Sequence, residues 1–123
     1  MRKLLFAAMA VVMVMGISRT ATAEVLTANR LLEICEAETQ GNSMMCLGYM
    51  AGFIQGVDAA SVGWEEGQQI CWPENFTVSQ LRKMFNKTAN DKPEDLHAPA
   101  SGFLYVVTAK PFRRSTAEGN CPK

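Results

Sequence analysis

The segment from Ser43 to Trp64 runs without a proline, and Gln55 and Asp58 are its only strongly polar side chains. A run this long and this apolar, with Ser43 placed to cap it, predicts one helix of about 20 residues, roughly 30 Å long. Gly48, Gly52 and Gly56 recur every four residues and line one stripe, which Ala59, Ala60 and Gly63 extend. Each glycine costs a helix about 1 kcal/mol relative to alanine. The expectation is that neighbouring helices approach the stripe and recover that cost by packing. This would be a central helix, apolar on most sides, with the others laid against it. A small-xxx-small stripe of this length also fits a membrane span. Asp58 in its interior, its glycine content and the absence of basic flanks favour the buried helix.

The chain before it begins with a different pattern. Arg2 and Lys3 precede an apolar run from Leu4 to Met15, and Ala21-Thr22-Ala23 gives a small-x-small cleavage pattern. Residues 1–23 therefore read as a signal peptide, with Glu24 as the mature N-terminus. The remaining 24–123 suffice for one domain. Removing Arg2, Lys3 and Arg19 leaves nine of the twelve basic residues against twelve acidic ones, a formal charge of −3. That balance argues against nucleic acid or an anionic membrane surface as partner.

Four cysteines remain: Cys35, Cys46, Cys71 and Cys121. An even number in a small exported chain reads as two disulfides. Three pairings are possible. A short helix hairpin favours Cys35–Cys46, which leaves Cys71–Cys121. Zinc is disfavoured, because no Cys-x-x-Cys pair exists and His97 is the one histidine.

Three further helices flank the central one. Glu24 to Glu38 forms the first, capped by Thr27, with Leu31, Ile34 and Cys35 joined by Leu26 or Leu32 on its apolar stripe. Thr39-Gln40-Gly41-Asn42 reads as the turn that follows. Thr77-Val78-Ser79-Gln80 is a capping box that opens the third helix. Its inner face holds Val78, Leu81, Met84, Phe85 and Thr88, and it ends before Pro93. One turn at residues 93–97 introduces the fourth helix, from Pro99 to Lys110, with Leu96, Ala100, Phe103, Leu104 and Val107 inward. Pro111 is expected to stop it, and Phe112 to Lys123 forms a tail. The fold class is all-α: a small four-helix, disulfide-stabilised domain around a glycine-rich helix.

The residues give little support for catalysis. His97 has no second histidine to join it, and bridged cysteines are not nucleophiles. No Gly-x-Ser-x-Gly elbow or phosphate-binding glycine loop occurs. No cofactor or metal is expected, and the protein is read as a non-enzyme. Asp58, inside an apolar helix, is expected to hydrogen-bond a backbone group or Tyr49. Trp64 and Trp72 bracket the loop from Trp64 to Asn75. They either cover the core where small residues leave space or offer an aromatic patch to a partner.

Three motifs in order resemble a known family. They are Cys46-Leu47-Gly48-Tyr49-Met50-Ala51-Gly52-Phe53-Ile54 with Asp58 after it; Cys71-Trp72-Pro73 followed by Thr77, Gln80 and Leu81; and Pro93-Glu94 with Leu96-His97 and Pro99-Ala100. Together they look like the periplasmic immunity proteins of type VI secretion systems, the Rap/Tai group, over most of Leu31 to Cys121. The resemblance implies a small helical periplasmic protein, often dimeric, that binds a secreted peptidoglycan amidase effector and blocks its active site. On that reading the contact surface is the Trp64–Asn75 loop with the Thr39–Asn42 turn, and Trp64, Glu65 and Trp72 are its candidate residues. Gly48, Tyr49, Gly52, Asp58 and His97 would be structural. The alternatives are a periplasmic acid-stress chaperone, which would expose apolar surface at low pH, another small envelope binding protein, and a small wall hydrolase.

Overall fold

The computed structural model describes residues 24–65 and 68–113. The expected signal peptide and Cys121, the second half of the expected Cys71–Cys121 bridge, lie outside them. The described chain is helical: α1 (Ala28–Glu36), α2 (Gln40–Ser61), α3 (Val78–Asp91), a 3-10 turn (Pro93–Asp95) and α4 (Ala100–Phe112). Two isolated bridges, Thr27 with Pro99 and Ile70 with Arg113, are the only β pairing among the described residues.

Local chemistry sets most boundaries. Thr27 caps α1, its side chain accepting from the Arg30 N–H. Thr77 and Gln80 form the reciprocal capping box that starts α3, an arrangement that contributes about 1 kcal/mol. The start of α2 differs from expectation. Thr39, not Ser43, is the cap, and its hydroxyl accepts from the Asn42 N–H at 3.3 Å. Gln40, Gly41 and Asn42 are therefore the first turn of the helix, and Ser43 donates its N–H to Thr39 O at 3.0 Å. The residues between α1 and α2 shrink to Ala37, Glu38 and Thr39, as a hairpin closed by a Cys35–Cys46 disulfide requires. That disulfide is present, with Cα atoms 5.1 Å apart. At the other end α2 stops at Ser61 rather than Trp64, and Gly63 lies in the turn that follows. α4 passes through Pro111, which lies in its last turn. The proline lacks an N–H, but the helix still closes through Arg113 N–H to Ala109 O at 2.9 Å.

Two helices touch all the others: α1 packs against α2, α3 and α4, and α3 packs against α1, α2 and α4. Leu31 and Cys35 of α1 are fully buried and meet Cys46 and Met50 of α2, Leu81, Phe85 and Ala89 of α3, and Ala100 and Leu104 of α4 in one apolar cluster. Phe85 and Phe103 meet edge to face, centroids 5.6 Å apart. Thr108, the buried polar side chain of α4, donates to Leu104 O at 2.9 Å and is satisfied. The Arg82 guanidinium donates to the Cys35 carbonyl oxygen and, at 3.5 Å, to Ser43 Oγ. It thereby ties α3 to the α1–α2 corner.

The orientation of α2 overturns one expectation. Its buried side chains are Cys46, Met50 and Val57. Gly48, Gly52 and Gly56 face outward, and a Cβ built on any of them would meet nothing within 4 Å. Among the described residues no helix is laid against the glycine stripe. Bulky residues win the inward face because burying a Met or Val side chain is worth about 1.5–3 kcal/mol, whereas a glycine gains nothing there. No described helix is long and apolar enough to cross a membrane.

Candidate functional site

The chain between α2 and α3 is held at two places. Ile70 is buried and bridges Arg113, and the Cys71 N–H donates to Phe112 O at 2.9 Å. Trp72 then stacks on Phe76, centroids 5.2 Å apart and planes 15° apart, and leans on Phe112 at 5.9 Å. Phe76 and Phe112 close the triangle edge to face at 5.2 Å. Asn75, in the left-handed region at φ 63°, reverses the chain between the two rings at a conformation asparagine tolerates.

Asp58 has a defined partner, though not Tyr49. Its Oδ1 accepts from the Trp72 indole N–H at 2.8 Å. One carboxylate thus fixes the aromatic triangle to α2. Tyr49 is half-buried instead beside α4; burial pushes its phenol pKa above the ordinary value, while a hydrogen bond with the Ser101 side chain acts the other way. Replacing Asp58 by alanine should leave the indole N–H unpaired, lower the stability by about 1 kcal/mol and shift tryptophan fluorescence to the red. Asp58→Asn, which keeps an acceptor, should do much less. Equal urea midpoints and unchanged spectra for both variants would refute the role.

The other candidate residues are dispersed. Trp64 is half-buried with its ring edge-on to Tyr105 at 6.1 Å, a different anchor from that of Trp72. Glu65 is exposed. Neither tryptophan covers the glycines of α2. His97 is exposed, and its Nδ1 lies 2.9 Å from Glu94 O, closing the turn ahead of α4. Among the described residues no group of His, Cys, Asp and Glu is placed to hold a metal.

Two concavities flank this region. A shallow hollow of about 370 Å³ has Pro73, Phe76, Met84 and Phe112 as apolar walls, with Glu74 and Lys83 at its rim. A second of about 480 Å³ lies between α3 and α4, over Phe103 and Val106, with Asp95, His97 and Lys110 around it. Sequence reasoning missed the first. Phe76 stood between the expected loop and third helix and Phe112 at the head of the expected tail, with no periodicity to mark them, and the signal was their apolar type just outside the expected helices.

The described residues define a small disulfide-bonded helical domain whose distinguishing features are surfaces and hollows rather than a cluster of reactive groups. The chain belongs to the Rap1a immunity proteins, whose family model matches residues 27–113. No curated protein and no solved structure gives a significant match.

Proposed function

We propose that this chain is a periplasmic immunity protein of a type VI secretion system, exported with cleavage near Ala23, that binds a secreted peptidoglycan amidase and inhibits it without catalysis of its own. Membership of the Rap1a immunity proteins across residues 27–113 carries the reading. The buried Cys35–Cys46 bridge supports an oxidising compartment. A rigid scaffold suits an inhibitor, because little loop ordering is then lost on binding. The effector contact is the segment from Trp64 to Asn75 together with the adjoining hollow, with Trp64, Glu65 and Trp72 as contact residues and Glu74 and Lys83 as rim charges. The inhibitor acts as a homodimer.

The test uses oxidised protein of residues 24–123 and a wall-cleaving amidase from the secreted fraction of its host. Hydrolysis of purified peptidoglycan should fall linearly with added inhibitor and reach background near one copy per enzyme. The paired variant Glu65→Arg and Lys83→Glu should weaken inhibition at least about tenfold, the cost of two lost contacts of about 0.7 kcal/mol each, at unchanged helical content. Undiminished hydrolysis in molar excess of inhibitor would reject the function. Full inhibition by the double variant would reject only the surface.

A further inference from the structure

The groove of about 480 Å³ between α3 and α4 takes no part in the proposed inhibition, yet it has an organised floor. Gly102, Val106 and Lys110 stand four residues apart along α4 and so share one line on its surface. Phe103 and Val107 lie buried beside that line, while Val106 is 65% exposed. Gly102 keeps the floor open, because a Cβ there would meet nothing within 4 Å. Alanine at this helical position would be more stable by about 1 kcal/mol, so the packing of the described chain does not call for the glycine. The volume falls within the roughly 300–1,000 Å³ of small-ligand sites, which join an apolar lining to a few polar groups.

The two ends of the floor carry opposite charges. Lys110 stands at one end, in the last turn of α4, and Asp95 at the other, in the 3-10 turn ahead of that helix. Neither side chain has a hydrogen bond or ion pair among the described residues. Asp91, on the α3 wall, is already engaged, since its carboxylate accepts from Lys87 Nζ at 2.7 Å. His97 adds a second acceptor beside Asp95. Its Nδ1 lies 2.9 Å from Glu94 O. A carbonyl oxygen only accepts, so Nδ1 carries the proton and the neutral ring keeps Nε2 to accept. Lys92, also at this end, offsets part of the charge of Asp95, so the turn end offers hydrogen-bond acceptors more than net charge. A carboxylate and an imidazole nitrogen suit an ammonium group, and the lone Lys110 suits a carboxylate. From Gly102 to Lys110 the helix rises about 12 Å. An extended chain spans about 3.3–3.6 Å per residue, so about three to four residues reach from end to end.

We infer that this groove binds a free peptide of three or four residues, its ammonium group at Asp95 and His97, its carboxylate at Lys110 and an aliphatic side chain on Val106. The site is separate from the effector contact of the proposed function and does not depend on it.

Titration of oxidised, isotope-labelled 24–123 with alanyl-leucyl-alanine, followed by amide chemical shifts, tests it. The shifts should saturate with a Kd below about 1 mM and be confined to residues 88–110. Acetylating the peptide, amidating it, Asp95→Lys and Lys110→Glu should each weaken binding about three- to fivefold, the upper range for one exposed charge pair. Triglycine, which has the same termini and no side chain, should bind about tenfold more weakly. Gly102→Leu fills the floor without a clash in its own chain and should abolish the shifts. No saturation at about 5 mM peptide, or shifts centred elsewhere, would overturn the site. Undiminished binding of the acetylated or the amidated peptide would overturn the free peptide as ligand. Undiminished binding by Gly102→Leu would overturn the groove. Should circular dichroism show that variant to be unfolded, Val106→Glu, which puts a charge on the floor, replaces it and is read the same way.

Discussion

Replacing Cys35 and Cys46 together by alanine is expected to lower stability by about 3 kcal/mol, the loop-entropy value for a closure of this length. The two residues are 11 positions apart. Both are fully buried and sit in the core between α1 and α2, so the loss is not confined to chain entropy. Separated from its partner, the α1 end also loosens the carbonyl of Cys35 that Arg82 holds. A domain of about 100 residues shifts its melting temperature by about 4–8 °C per kcal/mol, so the expected fall is about 15 °C. Calorimetry of the oxidised wild type and the double variant decides it. A change of under about 4 °C, worth less than 1 kcal/mol on the same scale, would mean that packing alone holds the hairpin.

The second large effect belongs to Phe85. Its ring is fully buried in the middle of α3 and meets Phe103 edge to face. Phe85→Ala removes that contact and opens a cavity beneath α1, and the expected cost is about 3–5 kcal/mol. Phe85→Leu keeps most of the volume and should cost under about 1.5 kcal/mol. Urea unfolding would separate the two. Equal midpoints for the alanine and leucine variants would show that the site collapses and that the cavity is not the cause. Net stabilities of small domains are about 5–15 kcal/mol, so the alanine variant removes a large share of what holds the fold.

Much of this architecture is legible in the sequence wherever the signal is local. Thr27 caps α1 and Thr77 with Gln80 opens α3, because a hydroxyl three residues before a free N–H acts the same in any context. The apolar periodicity places Leu31, Ile34, Phe85 and Leu104 in the core, and the hairpin argument pairs Cys35 with Cys46. Choices between two equally good local signals are less legible. Thr39 and Ser43 can both cap α2, and Gly41-Asn42 reads as a turn, so only the closeness of α1 selects Thr39. Pro111 reads as a stop, yet in a last turn it forfeits little.

The rotation of α2 about its own axis was not legible at all. Apolar residues surround that helix, so periodicity cannot say which side faces in, and the glycine stripe suggests the wrong one. The anchoring of the two tryptophans is hard to read for a related reason. Trp64 and Trp72 are adjacent in one loop, but Tyr105 anchors one while Asp58, Phe76 and Phe112 anchor the other. Nothing in the order of residues announces those partners, which come from two helices, α2 and α4, and a loop.

The bridge between Cys35 and Cys46 also bears on how the chain acquires its covalent structure. These are the first and second of the four cysteines counted from the N-terminus, and they pair with each other. Under the proposed export, a chain threaded across a membrane N-terminus first would present those two thiols to the oxidising side before Cys71 and Cys121 arrive. Oxidation in order of emergence would then yield this native pairing directly, sealing the corner between α1 and α2 without disulfide reshuffling.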